Sequence, residues 1–281
     1  MEIKSNAKIN VFLNVVGKNE VVNRGVLHEI ESLIVPINIY DNIEIYDNDI
    51  DEIIGMDIPI ETNLMHKALC KVRNLFNIEK KVKIIIEKNI PIFAGLGGGS
   101  SNAAAVIKAL NVIWNLNMSE QEMISIGKEI GSDIPFFIIN KPSFVYGIGE
   151  KVELIDNYEK IKGILIFDND KSSTKEVYDR VDEFPFSLSK LYNLKLEGCK
   201  SKNETYDYSL YNNDLEKGLN LKMYSKIQSI KNELIECGAI YSAMSGSGGS
   251  VFGIFKEENE IKECYEKVKQ KYKYVYVFES K

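Results

Sequence analysis

The chain has 281 residues, 44% of them apolar, and a formal net charge of -6, which suits one large or two ordinary domains with a sizeable core and excludes a disordered chain. Its 35 basic side chains are spread out and no apolar run reaches membrane-spanning length, so neither nucleic acid nor a membrane is an expected partner. Cys70, Cys199, Cys237 and Cys264 form no C-x-x-C pair, His28 and His66 are the two histidines, and the start of the chain has no signal-peptide pattern; a reducing cytoplasm is expected, without a disulfide framework or a histidine-rich metal site.

In chain order, Ile3 to Val16 reads as a strand, with Ala7, Ile9, Val11, Leu13 and Val15 on one face and Lys8, Asn10, Phe12 and Asn14 on the other. Lys8 and Asn10 therefore share a face, which is either functional or merely solvated. Gly17 to Gly25 reads as a polar turn, Val26 to Pro36 and Ile39 to Tyr46 as strands, and Asn48 to Ile60 as a hairpin or loop. Thr62 is a candidate N-cap for a helix carrying Leu64, Ala68, Leu69, Val72 and Leu75, in which His66 reads as a surface or packing residue. Val82 to Glu87 is a strand.

The stretch Pro91-Ile92-Phe93-Ala94-Gly95-Leu96-Gly97-Gly98-Gly99-Ser100-Ser101-Asn102 follows, with a helical stripe of Ala103, Val106, Ile107, Leu110 and Trp114 behind it. A second helix begins at Ser119, whose Glu122 has capping-box spacing, and ends near Gly131. Beyond Ser143 to Tyr146 and Ile164 to Phe167, both strands, Thr174 to Val181 reads as helix and Asp182 to Asn213 as loops and short helices. A helix over Leu221 to Cys237 closes at Gly238. Ser242 to Ser250 reads as a second glycine loop before strand Val251 to Phe255, a charged helix from Glu257 to about Tyr272, and a last strand from Tyr274 to Phe278.

Glycines followed by a helix N-terminus can cradle phosphate through backbone N–H groups, although a flexible hinge uses the same residues. A P-loop needs a lysine after its last glycine, and Gly99 is followed by Ser100. A dinucleotide fingerprint needs glycines directly after a strand and an acid some twenty residues on, and neither is present. The stretch from Pro91 to Ser101 instead resembles the P-x-x-x-G-L-G-[GS]-[GS]-[SA]-[SA] loop of the galactokinase, homoserine kinase, mevalonate kinase and phosphomevalonate kinase superfamily. Ala7-Lys8-Ile9-Asn10 resembles the first motif of that superfamily and Ala243-Met244-Ser245-Gly246-Ser247-Gly248 its third.

Gly131 to Phe137, Gly147 to Glu150, Ser173 to Tyr178 and Asn213 to Glu216 resemble the branch that phosphorylates an alcohol carried on cytidine diphosphate for isoprenoid synthesis. The resemblance implies an α+β, two-domain small-molecule kinase fold. Residues 1–156 would form a ribosomal-protein-S5-domain-2-like N-terminal domain and 157–281 a ferredoxin-like C-terminal domain, with the last strand free to pack on the first. The active site would lie in the cleft between the domains.

ATP would be held by Asn63, Lys88, Pro91 and the run Ala94, Gly95, Leu96, Gly97, Gly98, Gly99, Ser100 and Ser101. Mg2+ is expected with the nucleotide, with no protein ligand assigned. Asp133 would take the proton of the acceptor hydroxyl, unless it only caps a helix, and Lys8 would stand opposite as its electrostatic partner. Asn10, Thr174, Ser245, Gly246, Ser247 and Gly248 would meet the acceptor. For its base the family pattern is Asp-Gly-Tyr-His, where this chain has Gly25-Val26-Leu27-His28. His28 is kept, Leu27 replaces an aromatic, and Tyr178 matches the opposite aromatic or is a surface tyrosine. A different alcohol acceptor and a catalytically silent nucleotide sensor both stay open. The expected assembly is a monomer or weak homodimer binding small molecules.

Overall fold

The computed structural model describes residues 1–21, 25–168, 173–189 and 208–281. Cys199 and most of the loop region expected after Asp182 lie outside them. The fold is mixed α+β with two compact units that interleave along the chain. The first comprises Met1–Ala7, Ile39–Ile92 and Gly97–Lys141; the second comprises Lys8–Asn38, Phe93–Leu96 and Pro142–Lys281. Two long strands, β1 (Glu2–Val21) and β2 (Gly25–Asn48), contribute residues to both. β1 runs on through most of the expected polar turn, and the two strands expected before and after Pro36 are one.

In the first unit, β4 (Lys81–Glu87) pairs antiparallel with the end of β2 and parallel with the short β3 (Glu52–Ile54), which falls where a loop was expected. Ile43 faces Ile86 and Ile45 faces Ile84, all buried. Four helices accompany these strands: α1 (Leu64–Phe76), α2 (Gly98–Ile113), α3 (Glu120–Ile130) and α4 (Ile134–Ile139). α1 is capped by Asn63, one residue later than expected, because its Oδ1 accepts the Met65 N–H at 2.9 Å. The Ser119–Glu122 capping box forms as expected. His66 lies 3.4 Å from Cys70 within α1, in accord with a packing role.

In the second unit, residues Ile30–Ile34 of β2 pair with β5 (Ser143–Gly147), which pairs with β6 (Lys151–Leu154). A separate antiparallel sheet has the order β10-β7-β9-β8, from β7 (Lys162–Phe167), β8 (Tyr241–Ser245), β9 (Ser250–Phe255) and β10 (Tyr274–Glu279). With α5 (Thr174–Val181), α6 (Leu221–Glu236) and α7 (Glu258–Val268), this is the expected ferredoxin-like order. Its core joins Ile164 and Ile166 to Ile227, Leu234, Val251 and Ile261. β10 also leads to an isolated bridge between Ser280 and Ile37, tying the chain end to β2. The second glycine loop is shorter than expected: Ser245 pairs with Ser250, so only Gly246 to Gly249 turn a tight hairpin.

Asp41 lies on the buried side of β2 with Ile43 and Ile45 and is itself fully buried. A buried carboxylate must be paired and hydrogen-bonded. Asp41 accepts from the Asn89 and Ile90 N–H groups, each at 2.8 Å, from Asn102 Nδ2 at 2.8 Å and from the Lys88 ammonium. It thus holds both the segment entering the glycine stretch and the helix leaving it. Asp41→Ala should destabilise the protein by roughly 3 kcal/mol, since it leaves an ammonium and two N–H groups uncompensated. Urea denaturation of native and variant proteins measures this directly.

Candidate active site

In the first unit, the glycine stretch ends as the N-terminus of α2. Gly97, with φ 69°, is its N-cap; there is no side-chain cap and no acid in the first turn. A sixteen-residue helix therefore presents its N–H groups and positive dipole end without a built-in anion, which suits phosphate. The Lys88 ammonium, paired with Asp41, lies close by: its Nζ is 3.4 Å from where a Cβ on Gly98 would lie. Ser101 is buried and its N–H already bonds Gly97 O. Asn63, expected to hold ATP, is buried with its Oδ1 engaged in the α1 cap.

Asp133 precedes α4, and its side chain makes no capping hydrogen bond. The capping alternative therefore loses its support. Ile134, Pro135, Phe136 and Phe137 beside it are all buried, giving the half-exposed carboxylate an apolar flank.

In the second unit, Lys8 and Asn10 are buried, so their strand face is not a solvated one. Lys8 Nζ donates to Asn10 Oδ1, and Asn10 Nδ2 donates to Ser32 Oγ at 2.9 Å. The backbone of β1 also holds the middle of the glycine stretch, through Lys8 N–H to Leu96 O at 3.0 Å. Ser245 Oγ accepts from Asn10 N–H at 3.3 Å and donates to Gly95 O at 3.0 Å. All three motifs thus meet through one hydroxyl. The approach demands glycine: a Cβ on Gly95, which has φ 76°, would lie 2.1 Å from Ser245 O. Likewise, a Cβ on Gly249 would lie 3.2 Å from Ala94 Cα. Phe93, also in this stretch, takes a left-handed φ of 61°, an outlier for a bulky residue and a mark of local constraint that sequence did not reveal.

The expected base-reading residues also gather in this unit. The His28 and Tyr178 rings are 4.6 Å apart, tilted by 32°, and Leu27 beside His28 is half-buried. His28 Nε2 is 2.7 Å from Asp182 Oδ1, and Lys18 Nζ is 2.6 Å from Asp182 Oδ2. Burial pushes the Asp182 carboxyl up, but hydrogen bonds and charge from Lys18 and His28 outweigh it and hold the group below its usual range. Thr174 Oγ1 meets Ser247 Oγ at 2.8 Å, tying α5 to the glycine hairpin.

Sequence reasoning noted Asn213 to Glu216 without giving them work. Asn213 Nδ2 donates to Met244 O at 2.9 Å and Gly246 O at 2.8 Å, while Asp214 Oδ2 accepts the Val15 N–H at 2.9 Å. Glu216 binds Lys231 and Gln228 of α6. The segment fixes the glycine hairpin, β1 and α6 at once. The available signal was its density of polar residues just before an amphipathic helix.

A helix start open to an anion, a lysine and asparagine on one buried strand face and a glycine hairpin bonded to that strand are the parts of a small-molecule kinase. Residues 63–141 match the GHMP kinases N terminal domain and 197–273 the GHMP kinases C terminal. The 4-diphosphocytidyl-2-C-methyl-D-erythritol kinase of Clostridioides difficile (strain 630) is 38% identical, covering 100% of this chain and 95% of that protein. The same-named protein of Clostridium tetani (strain Massachusetts / E88) is 36% identical over 99% of both. Among solved structures, a crystal structure of 4-(cytidine 5'-diphospho)-2C-methyl-D-erythritol kinase superposes with a TM-score of 0.81 at 23% identity, covering 100% of this chain and 99% of that one. The Methanococcus jannaschii mevalonate kinase gives 0.65 at 18% identity, covering 100% and 98%. The chain belongs to the GHMP kinase family, whose members use ATP.

A substitution at Gly99 tests phosphate binding apart from folding. A Cβ there would meet only Leu64 Cδ1, at 3.7 Å, so the free protein accepts it. Gly99→Ala should leave the melting temperature unchanged or raise it, because alanine favours helix by up to about 1 kcal/mol. The same methyl would stand among the N–H groups offered to phosphate, and ATP affinity should fall at least roughly tenfold by isothermal titration, a loss of about 1.4 kcal/mol.

Proposed function

We propose that this chain transfers the γ-phosphoryl group of ATP to the 2-hydroxyl of 4-diphosphocytidyl-2-C-methyl-D-erythritol, in non-mevalonate isoprenoid precursor synthesis. The acceptor rests on full-length similarity to relatives of that name. The observation that carries the chemistry is an aspartate, Asp133, placed before a buried helix with its carboxylate not spent on a cap.

The acceptor hydroxyl loses its proton to Asp133 as its oxygen bonds the γ-phosphorus. The bond from that phosphorus to the β-phosphate oxygen breaks, and ADP carries the charge away. Lys8 favours the ionised aspartate and offsets charge on the moving phosphoryl group. The N–H groups from Gly97 to Ser100 hold the nucleotide phosphates. Asn10, Ser245 and the Gly246 to Gly248 turn position the acceptor, with Leu27, His28 and Tyr178 at its base. Magnesium fits this donor set: the half-buried Ser100 and buried Ser101 offer hydroxyl oxygens at the start of α2, and nucleotide phosphates supply the rest. Ser100 and Ser101 would hold it there, and it would supply charge neutralisation to the nucleotide phosphates.

The matches to the two family models fall on either side of Asp156, which supports 1–156 and 157–281 as the kinase's two domains. Among the described residues no helix is long and apolar enough to cross a membrane. A cytoplasmic monomer or weak homodimer completes the proposal. Leu27 favours a second reading, a GHMP kinase for another alcohol. A silent sensor has no use for both Lys8 and Asp133.

Coupled ADP release with the cytidine compound tests the acceptor, and turnover of only a mevalonate or homoserine derivative would favour the second reading. Asp133→Asn should cut kcat by at least about a hundredfold, the usual scale for losing a general base, while ATP affinity holds. Unchanged turnover would remove Asp133 from the mechanism.

A further inference from the structure

Asp182 occupies an unfavourable place. It is the C-cap of α5, where the negative end of the helix dipole repels a carboxylate. Its two oxygens are taken by Lys18 and by His28 Nε2. The acid therefore serves those partners and not the helix. Thr174, Tyr178 and Asp182 stand four residues apart and form a stripe down one helix face. Thr174 meets Ser247 of the glycine hairpin, Tyr178 covers the face of the His28 ring, and Asp182 holds its edge. At the helical rise the stripe spans about 12 Å, a reach suited to a ligand with its reacting hydroxyl at one end and a base at the other.

We propose that Asp182 is a positioning residue for base recognition: it keeps the His28 proton on Nε2, so that Nδ1 accepts the exocyclic amino group of cytosine. This rests on the functional reading above. A carboxylate only accepts, so the nitrogen facing it carries the hydrogen and the other nitrogen of a neutral imidazole has the lone pair. Cytosine offers an N4 amino donor, whereas a uracil presents an oxygen acceptor at that position. Tyr178 packed on the ring and Asp182 bonded to its edge leave the imidazole little freedom to turn. The tautomer then becomes a selector of cytidine over uridine.

The test compares kinetics with the cytidine acceptor and its uridine counterpart. In Asp182→Ala, KM for the cytidine acceptor should rise about tenfold and the cytidine preference in kcat/KM fall by a similar factor, the effect of one hydrogen bond, while kcat and the KM for ATP stay put. Asp182→Asn, whose Oδ1 can still accept from Nε2–H, should keep most of the preference. Nitrogen–proton correlation spectra of the substrate-free protein should show His28 protonated at Nε2, with His66→Gln assigning the signals. A native His28 protonated at Nδ1, or a cytidine preference unchanged in a folded Asp182→Ala protein, overturns the proposal. If the native protein turns over no cytidine acceptor, the functional reading fails instead, and the spectrum still decides the tautomer.

Discussion

The Ser245 hydroxyl is the point on which the arrangement of motifs in the second unit depends. It accepts from the backbone of Asn10 and donates to the carbonyl of Gly95. A strand, a hairpin and the middle of the long glycine stretch are thereby fixed to one atom. The contact can form only because Gly95 has no side chain, as a Cβ there would lie 2.1 Å from Ser245 O. The glycines of this kinase thus have two separate uses. Gly95 and Gly249 permit backbone to pack on backbone, whereas Gly97 to Gly99 begin a helix with no side chain of their own over its first N–H groups.

Asp41 plays the matching part in the first unit, where it binds the residues before the stretch and the helix after it. A glycine-rich segment has high conformational entropy and would not hold a geometry unaided. Here its flanks are clamped by a buried carboxylate, and its middle by β1 and Ser245. The N–H groups at the start of α2 are thus set without a ligand, and a site built this way is spared the ordering cost of binding.

Much of this was legible in the sequence because it depends on local pattern. The capping box at Ser119, the limits of α5 and the apolar stripe of α2 follow from spacing and caps alone. The motifs were legible because their chemistry restricts residue type. What escaped depends on partners distant in sequence. Asp41 alternates with Ile43 and Ile45, so an acid on a core-facing position was visible, but Lys88 and Asn102 as its partners were not. Asp182 gave no signal at all, because its importance lies in Lys18 and His28, more than 150 residues earlier. The stretch expected as a polar turn after Gly17 belongs largely to β1, since pairing with β2 outweighs the preferences of its polar residues.

The substitution of Leu27 for an aromatic gains a physical context from these contacts. One lost stacking face costs roughly 1–3 kcal/mol of base affinity. Stacking tolerates any base, however, and so contributes little to choosing among them. Choice comes from hydrogen-bonding groups with a defined donor or acceptor state, and an imidazole has that state only when something sets its tautomer. A site can therefore lose an aromatic wall and still discriminate, provided the edge-reading group is held. In this chain the holding falls to α5, whose face carries both the remaining aromatic, Tyr178, and the carboxylate on His28. On the proposed reading, affinity and selectivity for the base rest on different atoms, and Leu27 alters chiefly the first.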